Sequence, residues 1–378
     1  MANILRERSF KADDRSLFRR LRDVSPRLVL KKNYRKLVET VYPLERTLKG
    51  MAVKPYYLHL ELTNLCNANC VFCPYQFQQR PIETMSDEVF EKALSDFLME
   101  GGGSVTLTPV VGDALIDPAF LKRVQRIRSF DKIDRIRLIT NAILVQRFGA
   151  REIIQSGIDF IGISTSGFDK DTYERVYRSK QYEKMRDNVL SLLEANEKNG
   201  RRVKITILLR SDRSLESLKQ DRDFREVEKF NPHIYYYNTF ASLGGVINSD
   251  MLLDNMHTRL PRDKPESCRK LFDSPVVLPN GTVLACDCFA AMDAIEDLGI
   301  GNVLENSLGD IWRSHKMREL RESFANGNLN PTCARCDVYE DLSLLRGAEG
   351  RLRVKLNEER LQGKFRRRKP ESGYWLNP

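Results

Sequence analysis

From Tyr56 onward the chain alternates two hydrophobic patterns. Short apolar runs bounded by turn-forming residues read as buried strands at 57–63, 105–108, 136–140, 160–164, 203–209 and 234–239. Between them, apolar residues recurring every three or four positions read as helices at 86–100, 118–130, 142–156, 171–199 and 215–229. The first helix has the clearest local signals. Ser86 stands at its N-cap with Glu88 close behind, Val89, Ala93, Leu94, Phe97 and Leu98 share one face, and Gly101-Gly102-Gly103 stops it. Six strands alternating with helices predict an α/β fold, a parallel sheet with helices on its outer face. Right-handed crossovers then curl the sheet into a barrel-like wall that stays open on one side. In such sheets chemistry gathers at the carboxyl ends of the strands.

The flanks read differently. Two short basic helical stretches are expected at 16–23 and 28–48, with Pro26 between them and Pro43 interrupting the second. Residues 241–267 have little periodicity and read as a connector. Beyond it, Asn280-Gly281 between two apolar runs is a strong hairpin signal, and a helix is expected at 308–324. The expected organisation is a basic helical extension (1–50), the barrel (51–240), the connector (241–267), a smaller module (268–345) and a basic tail (346–378).

Composition narrows the class. The 378 residues are 41% hydrophobic and 30% charged, a profile with enough core for one large domain and a smaller one. No apolar run approaches membrane-spanning length. Residues 1–8 carry charge where the apolar part of a signal peptide would stand, so a reducing, cytoplasmic setting is expected. Eight cysteines in such a setting point to metal or redox chemistry. The net charge of +10 belongs to the ends, with +8 over 1–50, +6 over 346–378 and −4 over the rest. Solvated outer helices account for such ends, as would contact with nucleic acid, anionic lipid or a phosphorylated substrate. The acidic body and the lack of an added RNA-binding domain argue against stable nucleic-acid binding.

The chemistry starts at Cys66-Asn67-Ala68-Asn69-Cys70-Val71-Phe72-Cys73, directly after the first strand. Three thiols at this spacing can hold three corners of one inorganic cluster. A [4Fe–4S] cube normally takes four thiolates, so three leave one iron open to a non-protein ligand. A zinc knuckle would need a fourth Cys or His close by, and His59 on the strand is the one imidazole in reach.

The loop resembles the signature of the radical S-adenosylmethionine (SAM) enzymes, and the resemblance runs over roughly 57–240. It implies a partial (β/α)6 TIM-like barrel in which Cys66, Cys70 and Cys73 hold a [4Fe–4S] cluster whose open iron chelates SAM. Phe72 corresponds to the aromatic whose backbone meets the adenine. Val111-Gly112-Asp113-Ala114-Leu115-Ile116-Asp117-Pro118 matches the Gly-Gly-Glu-like turn at the methionine amine. Gly112, Leu115 and Pro118 fit, while Val111 replaces the first glycine and the acid is Asp113. Thr140-Asn141-Ala142 matches a Thr-Asn-Gly turn, with Ala for Gly. Ile163-Ser164-Thr165-Ser166-Gly167 implies Ser164 at the SAM ribose or carboxylate. Arg178 lies near the family's arginine partner of that carboxylate, a charge-assisted pair; otherwise it is an ordinary surface helix residue.

The remaining thiols are Cys268, Cys286, Cys288, Cys333 and Cys336. By themselves, paired C-x2-C units and hairpins also suit structural zinc. Joined to the first site, Cys268, Gly281-x4-Cys286 and Cys333-x2-Cys336 resemble the shortened auxiliary-cluster module called twitch, related to the longer SPASM module. The resemblance implies one auxiliary [4Fe–4S] cluster on Cys268, Cys286, Cys333 and Cys336, fully ligated and so suited to electron transfer. Cys288 is then spare: an alternative ligand, a structural thiol or a hydrogen-atom donor.

Length, cysteine layout and the absence of a peptide-recognition domain are similar to the aminocyclitol dehydrogenases. That similarity implies an oxidoreductase: oxidation of a secondary alcohol on a small carbohydrate- or aminocyclitol-type substrate, with a flavodoxin or ferredoxin as electron donor. Arg210, at the carboxyl end of the fifth strand, is the candidate to stabilise the alkoxide, since an arginine is a poor base; otherwise it simply ends a strand. Radical epimerisation, with Cys288 returning hydrogen, is the alternative. An RNA-modifying enzyme or a structural metal-cluster protein is a reading of a different class.

Overall fold

The computed structural model describes residues 44–107, 110–260, 262–273, 275–287 and 295–342. The helices expected at 16–23 and over 28–43, together with Cys288 and the basic tail, lie outside these residues.

Six parallel strands form a wall in sequence order: β1 (Tyr57–Leu60), β2 (Gly103–Leu107), β3 (Ile133–Thr140), β4 (Phe160–Thr165), β5 (Lys204–Arg210) and β6 (His233–Tyr237). Helices α1 (Leu44–Val53), α2 (Asp87–Met99), α3 (Phe120–Arg128), α4 (Ala150–Gln155), α5 (Lys170–Tyr177), α6 (Tyr182–Lys198) and α7 (Arg222–Glu228) accompany them. Alternate strand residues such as Leu58, Leu60, Ile136, Leu138, Ile161 and Ile207 are buried in one hydrophobic core. The intervening residues therefore face the lumen of the open barrel. One row of that face is aligned by register across five strands: His59, Thr106, Arg137, Phe160 and Lys204.

The wall is longer than the alternation predicts. Strand β9 (Val276–Val277) pairs in parallel with β1, and β10 (Thr282–Leu284) and β11 (Gly299–Asn302) continue antiparallel, giving nine strands in the order β11-β10-β9-β1-β2-β3-β4-β5-β6. The Asn280-Gly281 hairpin forms as expected. The module expected to stand apart thus extends the barrel wall on its β1 edge. The connector also holds order: β8 (His257–Thr258) pairs with β7 (Thr239–Phe240). Helix α8 (Leu308–Trp312) ties the module to the barrel: Trp312 Nε1 donates to the Met51 carbonyl (3.1 Å) and Arg313 to that of Val53 (3.0 Å). Those carbonyls at the end of α1 would otherwise lack partners. This explains why α1 runs to Val53 and not to residue 48.

Four expected helices are broken. Residues 142–156 divide at Gly149, whose φ of 85° no helix accommodates. Residues 215–229 divide before α7, which begins after Asp221. Residues 308–324 divide before α9 (His315–Ala325), where Ser314 caps the second piece. The break within 171–199 has a tertiary cause. Arg178 turns left-handed (φ 48°), and the carbonyls of Val176 and Tyr177 accept N–H groups of Val71 (3.0 Å) and Asn69 (3.1 Å) from the cysteine loop. A continuing helix would have used both carbonyls internally.

Candidate active site

The cysteine loop leaves the carboxyl end of β1 and is held from three sides. The end of α5 supplies the two carbonyls just described. Gln76 Nε2 donates to the carbonyls of Val71 (3.2 Å) and Cys73 (3.1 Å). Asn141 Nδ2 donates to Asn67 Oδ1 (2.6 Å) and lies 3.8 Å from Cys66 Sγ. Burial pushes the Cys66 thiol up to about 12, with the Asp113 charge adding to it. Burial and then the neighbouring thiols push Cys70 up, and burial does so for Cys73. As thiolates, buried Cys70 and half-buried Cys66 and Cys73 therefore need a cationic partner, which an iron–sulfur core supplies. Among the described residues no three His, Cys, Asp or Glu side chains converge as a single metal ion requires. The donor set fits a cluster.

Beside the loop, the structure brings Phe72, Ser164 and Arg210 together. Arg210 Nη1 donates to Ser164 Oγ (2.7 Å), and its guanidinium lies 5.7 Å from the Phe72 ring centre and 5.6 Å from that of Tyr237. The Arg210 charge also acts on Cys70 and Cys73, opposing the effect of burial. Three aromatic residues that sequence reasoning missed complete the group. Phe240 stacks on Phe72 (4.8 Å, 12°), Tyr177 meets Phe72 edge-on and shares a hydrogen bond with Ser164 (2.7 Å), and Tyr237 underlies Arg210. Tyr177 sits in the run that ends at Arg178, and Phe240 just past β6, so position after a strand or helix was the available signal.

Gly112, Asp113 and Asn141 form a second group. The Asp113 carboxylate accepts from Thr140 Oγ1 (2.8 Å) and from the N–H groups of Asn141 (2.8 Å) and Leu115 (3.0 Å). It is turned inward, tying the 111–115 turn to the end of β3, so the acid expected at the SAM amine acts here as a strut. Gly112 has φ 86°, and a Cβ there would collide with the Thr63 carbonyl oxygen. Gly112→Ala is expected to destabilise the chain by about 2–4 kcal/mol and to weaken SAM binding. Thermal unfolding and equilibrium dialysis with labelled SAM would measure both, and an unchanged midpoint would contradict the strain. The neighbouring turn has its own buried support: Glu61 accepts from Val111 N–H (3.1 Å) and pairs with Arg80 (2.7 Å). Glu61 was legible only as a polar residue where the strand alternation turns to the lumen. Arg178 is not brought to Ser164; it is exposed and donates to Gln76 Oε1 (3.1 Å) over the loop.

In the C-terminal module Cys268, Cys286, Cys333 and Cys336 line one small cavity with Leu271, Leu298, Phe324 and Tyr339. Helix α10 (Pro331–Arg335) positions two of them, Asn330 accepting from Cys333 N–H (2.7 Å). Burial pushes Cys268 up to about 11 and Cys333 to about 12. The donor set again fits a cluster. Lys270 adds a nearby cation, paired with Asp287 (2.7 Å). Burial alone would raise the Asp287 carboxyl, but the Lys270 and His59 charges hold it at about 2.

Comparison with known proteins agrees with both halves. A family model for the radical SAM superfamily matches residues 60–224, and one for the SPASM iron–sulfur cluster-binding domain matches 268–337. A GTP 3′,8-cyclase of Lactiplantibacillus plantarum is 24% identical over 159 residues, 40% of this chain and 45% of that protein. The chain thus spans under half the length of this curated relative. Among solved structures, Streptococcus suis SuiB bound to precursor peptide SuiA aligns with a TM-score of 0.54 at 13% identity, covering 95% of this chain and 82% of SuiB. Native anSMEcpe with bound AdoMet and a peptide aligns at 0.50 with 16% identity, covering 78% and 88%. These structural likenesses show the fold. A barrel with a three-thiol loop at the mouth and a second thiol set on its β1 edge defines a radical SAM enzyme, and the chain belongs to that superfamily. Within it the chain is of the SPASM/twitch subgroup, with SAM and [4Fe–4S] clusters as cofactors. Among the described residues no helix is long and apolar enough to cross a membrane.

Proposed function

We propose that the enzyme oxidises a secondary alcohol of a sugar- or aminocyclitol-type small molecule, with Arg210 at the reacting oxygen and the module's four cysteines holding an electron acceptor. The observation that carries this reading is the small cavity lined by Cys268, Cys286, Cys333 and Cys336. Four protein thiols complete one cluster and leave no iron for substrate, so electron transfer is the role that remains. Cys66, Cys70 and Cys73 would hold a cluster that supplies the single electron, drawn from a flavodoxin- or ferredoxin-type donor, for reductive cleavage of SAM to methionine and a 5′-deoxyadenosyl radical.

The chain's own residues position the partners. Phe72, backed by Phe240 and Tyr177, faces the adenine; Ser164 binds the ribose or carboxylate; Gly112 and Asn141 shape the amine and cluster contacts, with Asp113 holding their turns. Arg178, through Gln76, braces the loop. The substrate would give up a hydrogen atom from its carbinol carbon, a proton from its hydroxyl and one electron, which a cluster held by Cys268, Cys286, Cys333 and Cys336 would accept, leaving a ketone. Arg210 stabilises the oxygen as it loses its proton, with the proton passing to solvent. With a turned-over alcohol, Arg210→Gln is expected to lower kcat about 10²–10³-fold, the usual loss for one oxyanion donor. A wild-type rate would remove Arg210 from the chemistry.

The test of the whole reading is anaerobic. Reconstituted enzyme with reductant and SAM should form 5′-deoxyadenosine, and with substrate a ketone in equal amount. Epimerisation is the second reading. In that reading Cys288, which follows Asp287 in the chain and lies outside the described residues, returns the hydrogen. Cys288→Ala separates the two: a dehydrogenase continues, whereas an epimerase that returns hydrogen from this thiol stops.

A further inference from the structure

The lumen of the barrel contains a cation that the radical chemistry does not use. Arg137 points inward from the middle of β3, half-buried, with its guanidinium 4.9 Å from the centre of the Phe160 ring on β4. Among the described residues it forms no ion pair and no hydrogen bond. The other lumen charges are spoken for. Glu61 is paired with Arg80, and Asp287, whose charge reaches Arg137, is paired with Lys270.

Neutral polar groups without partners share the lumen face with it. Thr106, directly beside Arg137 in the register, is 8% exposed and its hydroxyl has no hydrogen-bond partner. Thr206 on β5 is 0% exposed, and its hydroxyl is likewise unpartnered. Beyond Thr106 in the same row stands His59, 8% exposed. Leaving such hydroxyls unpaired costs free energy, and a half-buried guanidinium without an anion costs more. A row of this kind suits a ligand that brings an anionic group with acceptor oxygens.

We propose that Arg137, with Thr106 beside it, is a subsite for a carboxylate or phosphate of the substrate, so that the enzyme acts on an anionic sugar-type molecule and not on a cationic aminocyclitol. This rests on the proposed alcohol oxidation and sharpens its substrate class. Position supports it. Phe160 lies four residues before Ser164 on the same face of β4, about 13 Å along the strand, so one elongated substrate would reach from the anion subsite to the Ser164–Arg210 pair. The amino groups of an aminocyclitol would instead meet an uncompensated guanidinium.

Calorimetric titration of the SAM-loaded holoenzyme with glucose 6-phosphate, glucuronate and glucose tests this without any turnover. At least one charged probe should bind about tenfold or more tightly than glucose, and which one does so tells phosphate from carboxylate. In Arg137→Gln that preference should fall to within about twofold, and Arg137→Lys, which keeps the charge, should restore part of it. Equal affinity for all three probes, no binding of any, or a preference that survives Arg137→Gln would each overturn the proposal. Ketone formation by the wild-type enzyme reports separately on the alcohol-oxidation reading, so the two can fail independently.

Discussion

Cys70→Ala should yield no detectable 5′-deoxyadenosine under conditions where the wild-type enzyme forms it. The loop offers three thiols and its open iron is what SAM requires, so a missing corner leaves the cluster with two protein ligands. Cys70 is also the most enclosed of the three, being buried among Val71, Tyr177 and the backbone contacts that join Val71 and Asn69 to α5. Water cannot readily take its place. Iron per chain should fall from about eight to about four, because the auxiliary set lies elsewhere in the chain. The measurement is iron and sulfide analysis beside product chromatography. Full SAM cleavage by Cys70→Ala would mean that the loop does not hold the reactive cluster.

Cys286→Ala should separate the two halves of the reaction. Iron should again fall to about four per chain, but SAM cleavage should persist, since Cys66, Cys70 and Cys73 keep their loop. Ketone formation should stop, because the substrate would have no acceptor for its last electron. Cys333→Ala should behave alike, since both thiols line the same cavity. The cavity is tied into the fold through α10 and the β9–β10 hairpin, so far-ultraviolet circular dichroism should accompany the assay to confirm that the module persists. Ketone produced at the wild-type rate by a folded Cys286→Ala would end the electron-acceptor role and return epimerisation or another radical outcome to first place.

Both experiments depend on features that differ in how legible they were. The cysteine loop was readable because its three ligands lie within eight residues, and local spacing alone brings them together. The auxiliary set spans residues 268–336, and only the return of α10 against the hairpin places those thiols around one cavity. The strands were readable because two-residue alternation reflects burial against the covering helices. The broken helices were not. Residues 171–199 keep a helical period throughout, and the break at Arg178 exists because the cysteine loop takes the Val176 and Tyr177 carbonyls. The pairing of β9 with β1 had no local signature, since two-residue strands carry almost none. Asp113 illustrates a finer limit: its identity suggested a ligand contact, while its three internal hydrogen bonds make it a strut.

By itself, then, the amino-acid sequence determined the α/β alternation, the open-iron loop, the hairpin and the inventory of thiols, all set by residue types at short fixed spacings. The tertiary structure decided what those parts face. It extended the wall to nine strands, gathered Phe72, Ser164 and Arg210 from three separate stretches, and turned Asp113 inward. It also left Arg137 in the lumen with no ion pair among the described residues. Whether a charged side chain has a partner depends on residues far away in the chain, so no local pattern could have shown it.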